Sequence, residues 1–177
     1  MSWALLIYTV PSEPSRKRAY IWREIKKVGA VYLRDGVCAL PEYAQTTAAF
    51  RRIAAKVEEF GGEATLVEAA HLDPKREEAL TATSQAARAS EYRELAREAE
   101  GFLAHVHRET EYREFTFAEL EELEEDLGKL TRWTDQVRAR DYFGGADAEQ
   151  VTALLAQCEE ALAAFLETAA REDEAPR

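Results

Sequence analysis

The spacing of the apolar residues changes near residue 73, and this change most restricts what the chain can fold into. Before it, short apolar runs alternate with stretches of helical spacing, which predicts alternating strands and helices. After it, apolar residues recur only at steps of three and four, which is typical of amphipathic helices. The sequence therefore predicts an α+β fold with a mixed domain over 1–72, a helical domain over 73–172 and a frayed tail over 173–177.

The first domain has the predicted element order βαββαβ. The apolar run WALLIYTV at 3–10 predicts a central strand buried on both faces, and Ser15 is placed to cap the next helix. The Asp35-Gly36 pair between AVYL and VCAL predicts a hairpin, because both residues tolerate positive φ. A second helix and the strand ATLVEA complete an order that favours a ferredoxin-like sheet with both helices on one face. The predicted core face of the first helix consists of Ile21, Trp22, Ile25 and Val28.

Three apolar stripes predict three helices in the second domain. Thr116 and Glu119 form a capping-box pair that starts the middle helix. Because each stripe needs cover, we expect an antiparallel three-helix bundle whose acidic residues are mostly solvated. The stripes are Tyr92, Leu95, Ala99, Phe102 and Val106; Leu120, Leu123, Leu127, Leu130 and Val137; and Val151, Leu155, Cys158, Leu162 and Phe165.

Charge is unevenly distributed between the two parts of the chain. The formal net charge is -11, yet residues 1–70 contain 10 Lys and Arg against 8 Asp and Glu. The remaining residues contain 13 against 26. A near-neutral segment with a strongly basic first helix therefore precedes an acidic helical one.

The basic residues of the first helix and the hairpin are the main candidate site. Arg16, Arg23 and Lys27 fall on one helical stripe, Lys17 lies beside it, and Arg34 in the hairpin could extend it. Clustered cations of this kind predict binding of an anion or of nucleic-acid phosphates. The alternative is a solvated face that docks on the acidic half of the same chain.

A second arginine cluster lies around Trp133. Arg132, Arg138 and Arg140 are near the end of the middle helix, where cations complement the helix dipole. Because guanidinium groups match tetrahedral oxyanions, this cluster is also a candidate oxyanion site.

The other reactive residues predict no catalytic site, metal site or cofactor. Cys38 and Cys158 are too far apart in sequence to indicate a redox pair or a zinc motif, so an oxyanion reductase is the least favoured function. His105 and His107 pair on their own helix only with the glutamates four residues on, which predicts a solvated helix surface. The sequence has no glycine-rich nucleotide loop and no helix-turn-helix pattern. No apolar run reaches the length of a membrane span, so we expect a cytoplasmic protein without membrane contact.

Two separated stretches carry a family resemblance. WALLIYTVPSEPSRKRAYIWREIKKVGAVYLRDGVCALP, with GGEATLVEA further on, resembles the N-terminal part of the ChrB family of chromate-resistance regulatory proteins. FTFAELEELEEDLGKLTRWTDQVRARDYFGG, followed by LLAQCEEALAAF, resembles the same family. The likeness covers nearly the whole chain and assigns no functional residue by position.

The resemblance implies a bacterial cytoplasmic protein that regulates the response to chromate. Its first domain would be similar to the ferredoxin-like domain of phenylacetate-pathway repressors and of small CRISPR-associated nucleases. Those nucleases have an acidic residue at the end of their first strand, whereas this strand ends Tyr8, Thr9, Val10. We therefore expect a non-enzymatic regulator that contacts promoter DNA, chromate or a similar oxyanion. The alternative is a protein-protein interaction module or homodimeric scaffold without nucleic-acid binding.

Overall fold

The computed structural model describes residues 1–173 and has an α+β architecture with four strands and five helices in that range. Residues 174–177, most of the predicted tail, lie outside the described residues. The elements are β1 (Trp3–Thr9), α1 (Ser15–Lys27), β2 (Val31–Arg34), β3 (Val37–Pro41), α2 (Ala44–Glu59), β4 (Glu63–Ala69), α3 (Pro74–Tyr112), α4 (Phe117–Arg138) and α5 (Ala146–Asp173).

The strands form one antiparallel sheet in the order β2-β3-β1-β4. Strand β1 pairs with β3 on one side and with β4 on the other, as its continuous apolar run requires. Ala4 and Leu6 are fully buried against α1 and α2, and Trp3 is buried on the opposite face. The expected burial on both faces holds at the start of the strand only, because Ile7 near its end is exposed.

Helix α1 differs from the sequence prediction at two residues. Ile21 and Ile25 are buried as predicted, but Trp22 is 53% exposed, because it lies at the border of the apolar stripe. Ser15 is the first helical residue and Pro14 takes the N-cap position without a side-chain hydrogen bond, so the predicted Ser15 cap is wrong.

The chain divides into two compact units. The first contains residues 1–86 and 140–143, and the described part of the second contains residues 87–139 and 144–173. Within the first unit, the Tyr142 hydroxyl donates a hydrogen bond to the Val28 carbonyl over 2.8 Å, and Phe143 packs against Trp3. The division falls within α3, whereas the sequence predicts a domain boundary at residue 73, and that boundary stays a prediction.

The core of the second unit contains residues of α3, α4 and α5. It includes the predicted stripe residues Tyr92, Leu95, Leu123, Cys158 and Phe165, which are all nearly inaccessible to solvent. Thr116 is the N-cap of α4 and accepts a hydrogen bond from the Glu119 backbone N–H over 3.2 Å. None of the helices that the structure describes combines the length and the hydropathy that a membrane span needs.

Gly36 joins the hairpin to β1. Its φ is +71°, its carbonyl accepts a hydrogen bond from Tyr8 N–H over 2.8 Å, and a Cβ built on it would lie 2.6 Å from the Tyr8 carbonyl oxygen. Gly61 also has a positive φ, +83°, but a Cβ there meets nothing within 4 Å.

These two glycines give a matched stability test. Gly61→Ala should lower the free energy of unfolding by about 1 to 2 kcal/mol, the cost of a left-handed conformation alone. Gly36→Ala should cost about 1 to 3 kcal/mol more, because the methyl group also displaces the backbone of β1. Urea unfolding of both variants measures this difference. Equal losses in the free energy of unfolding would contradict a close contact between a Cβ at residue 36 and the Tyr8 carbonyl oxygen.

Candidate anion site in the first unit

A cavity of about 520 Å³ lies between the end of β1, helix α1 and the β2–β3 turn. Its walls combine aromatic rings with charged and backbone groups, which is a mixture suited to a small polar ligand. The lining residues are Tyr8, Val10, Arg18, Trp22, Tyr32, Asp35 and Gly36.

Two tyrosine hydroxyls contact each other at this cavity. The oxygens of Tyr8 and Tyr32 are 2.9 Å apart, so one hydroxyl donates to the other. Burial raises the pKa of Tyr8, and burial together with the hydroxyl contact raises the pKa of Tyr32. Both groups therefore stay neutral at physiological pH, and the pair has one hydroxyl proton to donate to a ligand.

Helix α1 contributes an aromatic ring between two cations. Arg18, Trp22 and Lys26 are spaced four residues apart, so they follow one flank of the helix. The Lys26 ammonium lies 6.0 Å from the centroid of the Trp22 ring and 5.9 Å from that of Tyr32, within the range of cation–π attraction. Arg18 and Lys26 outweigh Asp35, so this flank has a net positive charge.

The predicted basic residues divide between two faces of α1. Arg16, Arg23 and Lys27 are exposed and follow a stripe roughly opposite the buried residues, because each residue advances about 100° around the helix. Lys27 donates a hydrogen bond to Glu24 over 2.7 Å. Lys17 lies on another face and donates to the Phe60 carbonyl over 3.0 Å, where it neutralises the C-terminal end of α2.

Arg34 and the second arginine cluster lie outside this cavity. Arg34 is exposed at the end of β2 and is not among the cavity residues. Arg132 and Arg138 are exposed on α4 in the second unit, and their six-residue separation places them about 120° apart around the helix. Arg138 donates a hydrogen bond to the Thr152 hydroxyl, and Arg140 belongs to the first unit.

Sequence reasoning missed the positions of Tyr8 and Tyr32 at this cavity and the exposure of Trp22. The spacing of Arg18, Trp22 and Lys26 is a usable signal, because a tryptophan between two cations is unusual on a core-facing stripe. The pairing of the tyrosines depends on the sheet, in which Tyr32 lies opposite Cys38 and Cys38 lies opposite Leu6. No local pattern encodes that contact.

The described residues thus define an α+β protein with a cation-flanked aromatic cavity beside its sheet. The family model described as "Protein ChrB, N-terminal" matches residues 18–175, so the chain belongs to this family and is a chromate-resistance-associated protein. No curated protein and no solved structure matches the chain.

The buried Cys38 thiol, which lies opposite Tyr32 in the sheet, gives a pH-dependent prediction. Burial raises its pKa from 9.0 to about 12, so between these values the folded state holds a proton that the unfolded state has lost. The contribution of the protonated Cys38 thiol to the free energy of unfolding is complete below about pH 9. It is lost as pH rises toward 12, and the free energy of unfolding then falls by up to about 1.4 kcal/mol per pH unit. Urea unfolding at about pH 8 and about pH 10 should show a smaller decrease for Cys38→Ala than for the unsubstituted protein. Equal decreases in the free energy of unfolding for the two proteins would contradict the raised pKa of Cys38.

Proposed function

We propose that this chain is a non-enzymatic cytoplasmic regulator of the chromate-resistance type, which binds an oxyanion in the cavity and DNA phosphates on the exposed stripe of α1. The observation that carries the proposal is the placement of Arg18 and Lys26 on either side of an exposed Trp22, beside two neutral tyrosine hydroxyls. The strand order and the shared core of α3, α4 and α5 support a ferredoxin-like sheet and a three-helix bundle as its framework.

The cavity groups match the needs of a tetrahedral oxyanion such as chromate. Arg18 can donate two hydrogen bonds to two oxygens of one anion, and Lys26 adds a charge without fixed geometry. A tyrosine hydroxyl can donate one more hydrogen bond. At about 520 Å³ the cavity is larger than a single oxyanion, so retained water would complete the ligand's hydration.

The opposite stripe of α1 supports contact with nucleic acid. Arg16, Arg23 and Lys27 are exposed along a helix of 13 residues, and Arg34 is exposed in the neighbouring hairpin. Because the formal net charge is -11, repulsion between DNA and the rest of the chain opposes binding, and the affinity should be modest and strongly salt-dependent.

One helix can couple the two ligands electrostatically. The stripe and the cavity flank lie on different sides of α1, about 10 Å apart, where two unit charges interact by about 0.4 kcal/mol in water. A bound dianion repels the DNA phosphates that the three stripe cations would hold, and three phosphates at about this distance would lose about 2 kcal/mol of binding free energy before salt screening. Chromate bound in the cavity should therefore promote the release of DNA.

The buried thiols support a role without redox chemistry. Burial raises the pKa of Cys38 to about 12 and that of Cys158 to about 11, so neither forms the reactive thiolate at neutral pH.

Binding of DNA from upstream of the protein's own gene tests the proposal. In fluorescence anisotropy at two salt concentrations, with and without chromate, the unsubstituted protein should bind less tightly at higher salt and release DNA when chromate is added. Arg16→Ala/Arg23→Ala should lower the DNA affinity. Arg18→Ala/Lys26→Ala should keep most of that affinity and lose the chromate response.

Each double variant removes two positive charges, so each controls for the other. If the two double variants had equal effects, the loss of net positive charge alone would explain the result. This outcome would contradict separate faces of α1 for the oxyanion and for DNA. An absence of DNA binding by the unsubstituted protein would reject the DNA part of the proposal. A response to chromate but not to sulfate would indicate which oxyanion the site prefers.

Two exposed aromatic residues favour a second candidate, a homodimeric scaffold. Tyr112 at the end of α3 and Phe117 at the start of α4 are 70% and 76% exposed, and apolar rings left in water favour association. If a second copy covers them, light scattering should give a dimer that Tyr112→Ser/Phe117→Ser converts to a monomer. A concentration-independent monomer before substitution would reject this candidate.

A further inference from the structure

His105 lies between two carboxylates at the connected ends of α3 and α4. Its Nε2 is 3.5 Å from Glu109 Oε1 on the same helix and 2.9 Å from Glu119 Oε1 on the next one. All three potential ligand atoms lie within 4.8 Å of one another. The sequence spacing alone pairs His105 only with Glu109, and the third residue comes from the antiparallel return of the chain.

The short contact between His105 and Glu119 is not a hydrogen bond. Among the described residues Glu119 Oε1 accepts no hydrogen bond and is buried, although it lies only 2.9 Å from the ring nitrogen. At this distance a hydrogen bond would also require an N–H group that points at the oxygen. Two ligands of one metal ion have this relation, because the ion occupies the lone-pair direction of the nitrogen and the other ligands lie beside it.

The separations also fit a coordination sphere. With metal–ligand bonds of about 2.1 Å, neighbouring ligand atoms are about 3.0 to 3.4 Å apart in octahedral or tetrahedral geometry. The contacts of Nε2 with the two carboxylate oxygens, 2.9 and 3.5 Å, bracket this range.

The charges around His105 leave a deficit of positive charge. The Glu109 side chain is only 8% exposed, and the Arg108 guanidinium is 2.9 Å from it. Glu122 and Asp126 also approach His105, and Lys129 pairs with Asp126 and Glu125. With two cations against five carboxylates, the cluster carries excess negative charge even if the imidazole is protonated.

An access route lies beside the cluster. A cavity of about 440 Å³ in the second unit has His105, Asp126 and Trp133 among its lining residues. A hydrated ion can therefore reach the imidazole from solvent, and water can fill the coordination positions that the protein leaves open.

We propose that His105, Glu109 and Glu119 bind a first-row divalent cation such as Zn²⁺ or Mn²⁺. The imidazole ligand disfavours Ca²⁺ and Mg²⁺, which prefer all-oxygen sites, and the lack of a thiolate in the set disfavours Cu⁺. The ion joins the last turns of α3 to the first turn of α4 and so stabilises this helical hairpin. This site is independent of the anion cavity in the first unit.

The chain contains a matched control for this site. His107 and Glu111 have the same spacing as His105 and Glu109, and their Nε2–Oε1 distance of 3.4 Å is nearly the same. Both side chains are largely exposed, and no third ligand joins them within the part of the chain that the structure describes. A surface His-Glu pair and the proposed three-residue site can therefore be compared in one protein.

Titration of the metal-free chain of 177 residues with Zn²⁺ and with Mn²⁺ tests the proposal. Calorimetry should show one ion per chain, and a thermal melt should show stabilisation by the same ion. His105→Ala and Glu119→Gln should each weaken binding by at least about tenfold, whereas His107→Ala should leave it unchanged. Circular dichroism of each variant confirms that its helices are intact.

Other outcomes would overturn the assignment. No binding by the unsubstituted chain would mean that the cluster holds no metal. Equal losses for His105→Ala and His107→Ala would indicate surface binding only. If Glu122→Gln/Asp126→Asn weakened metal binding and Glu119→Gln did not, the ligands would be His105, Glu122 and Asp126 instead of the proposed set. Mn²⁺ broadening of the His105 ring signals before those of His107 gives a test without substitutions.

Discussion

Strand β1 is the element on which the first unit depends. It pairs with β3 and β4, packs against α1 and α2 on one face and contributes Trp3 to a second cluster on the other. Its last residues are held by the hairpin, because the Tyr8 N–H donates to the Gly36 carbonyl. This bond fixes where the Tyr8 ring lies, and so the candidate anion cavity is a consequence of how the central strand ends.

Helix α1 has four faces with different surroundings. Ile21 and Ile25 are buried on one face, and Lys17 on a second interacts with the end of α2. On a third face Arg18 and Trp22 line the cavity, and Lys26 lies near the Trp22 ring. The fourth face, with Arg16, Arg23 and Lys27, is exposed. The basic character of this helix in an acidic chain therefore has more than one physical origin. Part of it caps a neighbouring helix, and part remains available to anions.

The sequence predicts those secondary-structure elements and buried faces that depend on local periodicity and turn chemistry. The strands, the Asp35-Gly36 hairpin and the apolar stripes of α3, α4 and α5 agree with the structure, because each reflects spacing within one element. Trp22 was misplaced because hydrophobicity alone does not distinguish a core residue from one at the border of a stripe. The Tyr8–Tyr32 and His105–Glu119 contacts were not predicted, since each joins residues of different elements through tertiary packing.

The most direct test of oxyanion binding in the cavity beside α1 is the response of the tryptophan indole N–H signals to chromate. The chain has three tryptophans: Trp22 lines the anion cavity, Trp3 is buried in the first unit, and Trp133 lines the cavity of the second. In a ¹H–¹⁵N correlation spectrum, chromate added at constant ionic strength should shift the Trp22 signal and leave the other two unchanged. A shift of Trp133 alone, or of none of the three, would contradict an anion site beside α1.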